Sequence, residues 1–571
     1  MKNTKQLSRG GLRKALISAV LCLLAVSAFC QNKIPFTKGV NMFGPFFRDN
    51  WTMNSMPSLN QYDEADFIFL KNMNADVVRL ACYFPYLMEP AFTGTINETI
   101  LKKLDEICDW AEKNQIYLII DNHGMGGADY ETKSVKQLQE HLEILWSVIA
   151  KRYANRSQYI LYEIMNEPTD PITTSQWQKV QQNIINIIRE YDTKHTIIVT
   201  GAHWSMIDQL TQLKPYKDSN IIYTFHFYEP NLFTQQYEHF SEELKGTDGI
   251  PFPYDKSKMP KIKVQEGTWL KELWTAYPQE GTEKFIENRI KKISDWAKKN
   301  KVNVFCGEIG SGNTVDKANR VVYNKTLTSI LQKYEIPYCV WTMDVGNGLF
   351  QNPQDDSIFP DAIDKDVVES YGFEMPGSEV FAKTNETMRS FPNSSFILHD
   401  GIKGKWVNKV SSYGDVKEAY VNDGHAECVL VTYDSKNQGN GFIIYPPEMI
   451  KDGIRKNNDS LVLSLSVKFT DASQAFKVHF KDTDGGTDLL PWRSTCVVEA
   501  SKYSIGKWIT IEIPLSETKE LDGTWSDVAQ NWFNSRGKFD WKRFDVIYFD
   551  FDNDGSKTGD LYIDDIVIKK K

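Results

Sequence analysis

From Phe36 to Ser390 the chain alternates between short apolar runs suited to strands and longer segments with helical spacing. Eight such runs can be read, and each closes on polar residues before its loop. Strands that alternate with helices form parallel sheets, which must be covered on their faces. Eight units point to a closed (β/α)8, or TIM, barrel; an open doubly wound sheet would not need functional groups at so many strand ends. The predicted strands are 39–43, 76–82, 116–120, 159–165, 196–200, 220–226, 302–307 and 337–341. The predicted helices are 63–72, one capped by Asn97, 135–152, 175–191, 284–299, 317–333 and 378–389. The long segment 229–280, rich in Pro, Gly and aromatic residues, reads as a loop over the active site.

The fourth run carries the sharpest signal. Residues 159–165 are apolar except for Glu163, and the run stops at Asn166-Glu167-Pro168. Pro168 cannot donate to a ladder and biases Glu167 toward an extended backbone. An amide and a carboxyl therefore stand at the C-terminal end of a strand, where barrel enzymes carry their catalytic groups. On its own the tripeptide reads more readily as a polar turn.

The seventh run supplies a second carboxyl, Glu308, between Gly307 and Gly310. Glu167 and Glu308 are 141 residues apart in sequence, so only a fold can join them. Strands four and seven lie on roughly opposite sides of an eight-strand barrel. At about 5 to 5.5 Å apart, two such groups can flank a glycosidic bond, one attacking the anomeric carbon and the other protonating the leaving oxygen. Arg79 could hold Glu308 ionised, and Tyr228 could donate to the same carboxylate. Asn166 could bond a sugar 2-hydroxyl, His123 and His226 could position the site or tune Glu167, and Trp341 offers a flat face. Singly, these are a salt bridge, structural histidines and a core tryptophan; their shared placement at strand ends favours a site.

Other classes fit poorly. The net charge is −9 with acids and bases intermixed, which disfavours nucleic acid. Lys2, Lys5, Arg9, Arg13 and Lys14 precede an apolar run, 15–29, too short to cross a bilayer comfortably. This reads as a secretory signal peptide with a mature start near Gln31, and the bulk of Phe29 weighs against a lipid on Cys30. No later stretch suits a transmembrane helix. Of the eight cysteines, two fall in the leader; Cys82, Cys306 and Cys339 read as buried apolar residues, and disulfide pairing stays open. A metal-dependent barrel hydrolase would want His-x-His in the first strand, where Gly39-Val-Asn41 stands.

After 391–395 the pattern shifts to short alternating strands, at 427–433, 460–469, 476–480, 508–513, 545–551 and 561–568. Few stretches look helical, so this reads as an antiparallel β-sandwich of the jelly-roll kind. Trp492, Trp525 and Trp532 are candidates for sugar stacking, each equally a core residue. Residues 552–555 and Asp565 could ligate a structural calcium, although the first group is also a turn sequence.

With Arg79, His123, Asn166-Glu167-Pro168, His226-x-Tyr228, Glu308 in Gly-Glu-Ile-Gly and Trp341 in place, the barrel resembles glycoside hydrolase family 5, the cellulase family, over residues 36–390. The resemblance implies Glu167 as general acid/base, Glu308 as nucleophile, and no metal or organic cofactor. The large insert after Tyr228, with Trp269 and Trp274, departs from the pattern and leaves the substrate open. The C-terminal part resembles a carbohydrate-binding module similar to family 11, chiefly through its closing stretch 559–568. The expected organisation is a signal peptide (1–30), a catalytic barrel (31–392) and a β-sandwich module (396–571). The expected protein is a secreted, monomeric retaining glycosidase acting on a polysaccharide or oligosaccharide. An endo-β-1,4-glucanase comes first, then a mannanase, a xyloglucanase or another glycosidase of the family; a non-catalytic glycan-binding protein is the distant alternative.

Overall fold

Eight parallel strands close into a barrel in chain order: β1 (Lys38–Phe46), β2 (Val77–Cys82), β3 (Tyr117–Asn122), β4 (Ile160–Glu163), β5 (Thr196–Thr200), β6 (Ile221–Phe227), β7 (Asn303–Ile309) and β8 (Tyr338–Val340), with β8 pairing back onto β1. The computed structural model describes residues 33–46, 59, 61–88, 93–96, 98–124, 134–169, 172–236, 242–343, 348–349, 363–377, 379, 396–400, 407, 409–420, 427–433, 439–446, 448–482, 492–521, 523–526, 530–534 and 537–571. The expected leader with Cys30, the join at 391–395 and the expected helix 378–389 lie outside these residues, apart from Glu379.

The connecting helices start where short polar side chains can catch free N–H groups. Asp63, Ser134, Thr173, Thr282 and Asp316 each accept a hydrogen bond at the head of a helix, those helices being Glu64–Asn72, Val135–Tyr153, Thr174–Tyr191, Glu283–Asn300 and Lys317–Lys333. Their apolar stripes pack on the outer faces of the strands, as with Leu138, Leu142, Leu145 and Ile149.

Strand residues alternate between that outer layer and the barrel interior. Val77, Ile119, Leu161, Ile198, Ile222, Phe305 and Cys339 point inward and form an apolar floor plugged by Ile34 and Phe36. Two residues further along the same strands, period-two geometry brings a different set inward. These are Arg79, Asp121, Glu163, Thr200, Thr224 and Gly307, joined by Asn41 of β1; every polar one among them is at most 1% exposed. The floor is apolar and the tier above it polar, which is why the chemistry sits at the C-terminal ends of the strands.

Segment 229–280 is not all loop. Trp269–Glu280 is a helix, capped by Thr268 and holding Pro278 near its C-terminal end. Pro278 and the turn residues upstream mask its helical spacing in the sequence. Buried Tyr277 ties the helix back to the insert through a 2.5 Å bond to the Pro251 carbonyl. After β8 the short helix Lys365–Ser370 follows, capped by Asp364.

The C-terminal region is antiparallel throughout and has more strands than its sequence pattern suggests. One sheet runs β10 (Lys409–Tyr413), β13 (Gly441–Tyr445), β20 (Val546–Asp550), β15 (Ala475–Asp482), β16 (Trp492–Glu499). The other runs β11 (Val416–Tyr420), β12 (Glu427–Thr432), β21 (Asp560–Lys570), β14 (Leu461–Phe469), β17 (Trp508–Pro514), with β9 (Phe396–His399) also pairing on β21. Phe476, Val478 and Phe549 of the first sheet share a core with Leu463, Leu465 and Ile563 of the second. A helix, Glu448–Asn457, interrupts the strands. A separate hairpin pairs β18 (Gly523–Ser526) with β19 (Asn531–Asn534). The six cysteines among the described residues are all free thiols.

Closure depends on a close backbone approach at Gly39, which pairs with Val77. A Cβ there would lie 1.6 Å from the Val77 carbonyl oxygen, so β1 and β2 would have to part. Gly39→Ala is therefore expected to cost about 3 kcal/mol or more of stability, the range of severe overpacking. A urea melt that leaves the midpoint unmoved would refute this.

Candidate active site

Arg79 is fully buried, and a guanidinium has five N–H groups to satisfy. Nε and Nη2 donate to the two oxygens of Glu163 at 2.7 and 2.8 Å, a bidentate fork that fixes the plane of the group. Nη1 donates to Asn41 Oδ1 at 2.9 Å and to Glu308 Oε1 at 2.8 Å. Nη2 also donates to Asn166 Oδ1 at 2.8 Å and lies 3.0 Å from Asp121 Oδ2. One cation thus faces three carboxylates, a surplus of negative charge that buried groups relieve by holding protons. Burial pushes Asp121 up to about 7, against the pull of Arg79, and raises Glu163 in the same way.

Glu308 reaches this network through an irregularity in β7. Simple alternation from inward Phe305 would turn Glu308 outward. Instead β6 pairs Phe225 with Cys306 and then His226 with Glu308, skipping Gly307, and the β7–β8 register slips over the same residues. The extra residue is a β-bulge, which re-aims the side chain that follows it. Asn41 Nδ2 holds the Gly307 carbonyl at 3.0 Å. A Cβ at Gly307 would lie 2.7 Å from Thr224 Oγ1, so the bulge needs glycine. Glu308 Oε2 accepts from the Tyr228 hydroxyl at 2.7 Å. Burial, with the neighbouring Glu308 charge, holds the Tyr228 phenol well above its usual range, so it stays a donor.

Glu167 follows β4. The ladder ends at Glu163, but Asn166 N–H donates to the Asn122 carbonyl at 2.9 Å and Glu167 N–H to that of Gly124 at 3.2 Å. Its Oε1 lies 2.6 Å from His226 Nδ1. Burial raises Glu167 to about 8 and lowers His226 to about 4. Near neutral pH the pair is therefore a protonated acid beside a neutral imidazole, a hydrogen bond between uncharged groups. Arg79 at one carboxyl and a neutral histidine at the other give two glutamates in one cleft different surroundings.

The structure gathers the eight barrel residues read from sequence as catalytic or substrate-binding at this end of the barrel. His123 Nδ1 lies 2.6 Å from Asp121 Oδ2, and its ring stacks on Trp341 at 4.9 Å between centroids and 10° between planes. Of the interactions expected of the two histidines, the one with Glu167 is made by His226. Asn41, Asp121 and Glu163 belong to the same network; Asn41 and Glu163 were marked only as polar side chains inside apolar runs, and Asp121 only as the polar end of its run. Trp204 gave no signal at all. Consecutive residues His203, Trp204 and Ser205 have φ of 51°, 60° and 55°, a left-handed run that non-glycine residues seldom adopt. Ser205 Oγ donates to the Asn166 carbonyl at 2.6 Å, and Trp204 N–H to that of Pro168 at 3.2 Å. The run leaves the Trp204 side chain 47% exposed beside the Glu167 segment.

Glu167, His226 and Glu308 offer ligand-type atoms within 4.8 Å of one another, so their carboxylate oxygens approach to at most that distance. They are the one cluster of that kind among the described residues. Residues 552–555 form a turn in which Asn553 Oδ1 accepts from the N–H groups of Gly555 and Lys557 at 3.0 Å each, and Asp565 accepts from Ser466 at 2.8 Å. Among the sugar-stacking candidates, Trp492 is buried at 6% exposure and is a core residue.

Comparison with known proteins places this geometry. Residues 36–347 match the model of the cellulase family, glycosyl hydrolase family 5. Endoglucanase C of Acetivibrio thermocellus is 26% identical over 318 residues, 54% of this chain and 91% of that protein. Endoglucanase 3 of Fibrobacter succinogenes is 30% identical over 259 residues, 43% of this chain and 39% of that protein. Cellodextrinase A of Ruminococcus flavefaciens is 23% identical over 306 residues, 52% of this chain and 83% of that protein.

The fork on Glu163 generates a test. In Glu163→Gln one oxygen becomes an NH2 that faces the N–H groups of Arg79, so the guanidinium loses its fixed plane. Stability should fall by about 3 to 5 kcal/mol, as when a buried ion pair loses one partner. Turnover should fall about 10- to 100-fold, as when a supporting residue is lost. A variant with unchanged kcat would show that the plane of Arg79 is set by other contacts.

Proposed function

The chain belongs to the cellulase family, glycosyl hydrolase family 5, and from that membership we propose that it is an exported endo-β-1,4-glucanase that works by double displacement. The observation that carries the mechanism is the approach of the Glu167 and Glu308 carboxylates to within 4.8 Å. Retaining glycosidases set their carboxyls about 5 to 5.5 Å apart, whereas inverting ones leave about 6.5 to 9.5 Å for a water.

In this reading Glu308 is the nucleophile. Arg79 and Tyr228 each donate to one of its oxygens and so fix the carboxylate for attack. Glu167, held protonated below about pH 8, gives its proton to the leaving oxygen as Glu308 attacks the anomeric carbon. The glycosyl-enzyme is then opened by water, whose proton returns to the Glu167 carboxylate. Arg79 engages Asn166 Oδ1, which leaves the Nδ2 donor for the sugar 2-hydroxyl. The Trp341 face, backed by His123, is offered to the sugar ring. The two carboxylates and the substrate supply every proton and bond this sequence needs, so we propose no metal or organic cofactor.

The endo assignment rests on relatives named endoglucanase. The cellodextrinase relative favours a second reading, cleavage of short soluble chains. Viscosity of carboxymethylcellulose separates them: an endo-enzyme collapses it while few reducing ends have formed, and a cellodextrinase leaves it high.

Two results are expected of the carboxylates. Since Glu167 must carry its proton in the first step, kcat/KM on cello-oligosaccharides should fall as pH rises through about 8. That limb should vanish on a dinitrophenyl glycoside, whose leaving group needs no proton; its persistence there would assign it to another group. With azide, Glu167→Ala should yield the β-glycosyl azide, by attack on the intermediate. Glu308→Ala should yield the α-azide, by attack from the vacated side. Azides of the opposite configurations would exchange the two roles.

A further inference from the structure

We propose that Thr224 is a positioning residue of the acid/base pair. Its hydroxyl serves Nε2 of His226, which keeps the imidazole proton on Nδ1 and leaves the Glu167 proton on the carboxyl oxygen that His226 does not touch. The inference rests on the reading of Glu167 as the general acid. Thr224 and His226 stand two residues apart in β6, so both side chains enter the barrel. Thr224 is fully buried and the His226 side chain is 2% exposed. Thr224 Oγ1 and His226 Nε2 are buried atoms without a hydrogen-bond partner among the described residues. They face one space. A Cβ on Gly307 would lie 2.7 Å from Oγ1 and 3.2 Å from Nε2, and these two side chains hold the three atoms nearest to that point. The bulge that turns Glu308 inward thus also sets a residue without a side chain against the far edge of the imidazole.

Buried polar atoms are costly unless paired, and the other edge of the ring decides how this pair is made. Nδ1 lies 2.6 Å from Glu167 Oε1 and 3.6 Å from Glu308 Oε2. A ring nitrogen between two carboxyl groups serves best as a donor. The reaction asks for the same. With an unprotonated Nδ1, the Glu167 proton would lie on Oε1, tied to the ring and withheld from the leaving oxygen. With Nδ1–H donating to Oε1, that proton sits on Oε2 and is free to transfer. After the transfer Nδ1–H donates to a carboxylate and steadies its charge until water returns the proton. One tautomer serves both steps, and His226 keeps its own proton throughout. That tautomer makes Nε2 an acceptor, because a neutral imidazole has one donor and one acceptor. The Thr224 hydroxyl is the donor on the same side of the ring. It reaches Nε2 by turning about its Cα–Cβ bond, or through one water that accepts from Oγ1 and donates to the ring.

Two measurements on the full-length protein test this. The first is nitrogen NMR with isotope-labelled histidine, the His226 resonances being identified by their loss in His226→Gln. At neutral pH they should show a protonated Nδ1 and an unprotonated Nε2. A parent protein with the proton on Nε2 overturns the proposal without any change at Thr224. Thr224→Val, which keeps the shape and removes the hydroxyl, should give a mixture of tautomers, and Thr224→Ser the parent pattern. The second measurement is kinetic. Thr224→Val should lower kcat/KM on cello-oligosaccharides about tenfold, the loss of one hydrogen bond. On a dinitrophenyl glycoside, whose departure needs no proton, the loss should stay below about twofold. Thr224→Ser should recover most of the activity. Equal losses on both substrates would make Thr224 merely structural and overturn the proposal, as would no loss on either. If the parent hydrolyses neither substrate, the catalytic reading fails, and the His226 resonances still decide whether Thr224 serves Nε2.

Discussion

The guanidinium of Arg79 is the contact on which the rest of the catalytic end depends. It has no access to water, and its donors are spent on Asn41, Glu163, Asn166 and Glu308, with Asp121 closing the ring. An ammonium could not reproduce this arrangement, because it is a point charge without a plane. The fork on Glu163 orients the group, and that orientation presents one edge to Glu308 and another to Asn166. A residue at the heart of the barrel therefore aligns both the carboxylate of β7 and the amide that follows β4.

The two carboxyls at the mouth show how environment divides labour between identical side chains. Glu308 is held by a cation and a phenol. Glu167 is held by an imidazole that burial keeps neutral, and its own burial, against the pull of Arg79, retains its proton to about pH 8. Unlike surroundings around two like groups are what separate acid and nucleophile roles require.

Much of this was legible in the sequence, for reasons that differ from residue to residue. Strand and helix alternation is written in apolar spacing, and 196–200 and 317–333 fall where that spacing puts them. Asn166-Glu167-Pro168 stood out because proline ends a strand visibly. Glu308 could be named as a strand-end carboxyl, but its inward aim could not be read, since it depends on a bulge that plain alternation contradicts. Glu163 looked like a strand residue and Asp121 like a polar strand end, because their role is to meet Arg79 in three dimensions. Trp204 escaped notice because its position comes from backbone angles, not side-chain pattern. The helix 269–280 was hidden by its own proline, and the short strands β9, β10, β11, β13 and β16 lie in stretches whose alternation is weak.

The burial of Arg79 also bears on how the barrel is made. Its partners come from β1, β3, β7 and the segment around β4, so they span the chain from Asn41 to Glu308. Any intermediate that has closed only the first half-barrel would enclose this cation without the carboxylate from β7, or leave it in water with the half-barrel open. Either state is penalised until the late strands arrive. The residue that orders the chemistry thereby couples the two halves of the barrel in folding, and partly closed forms gain little by persisting.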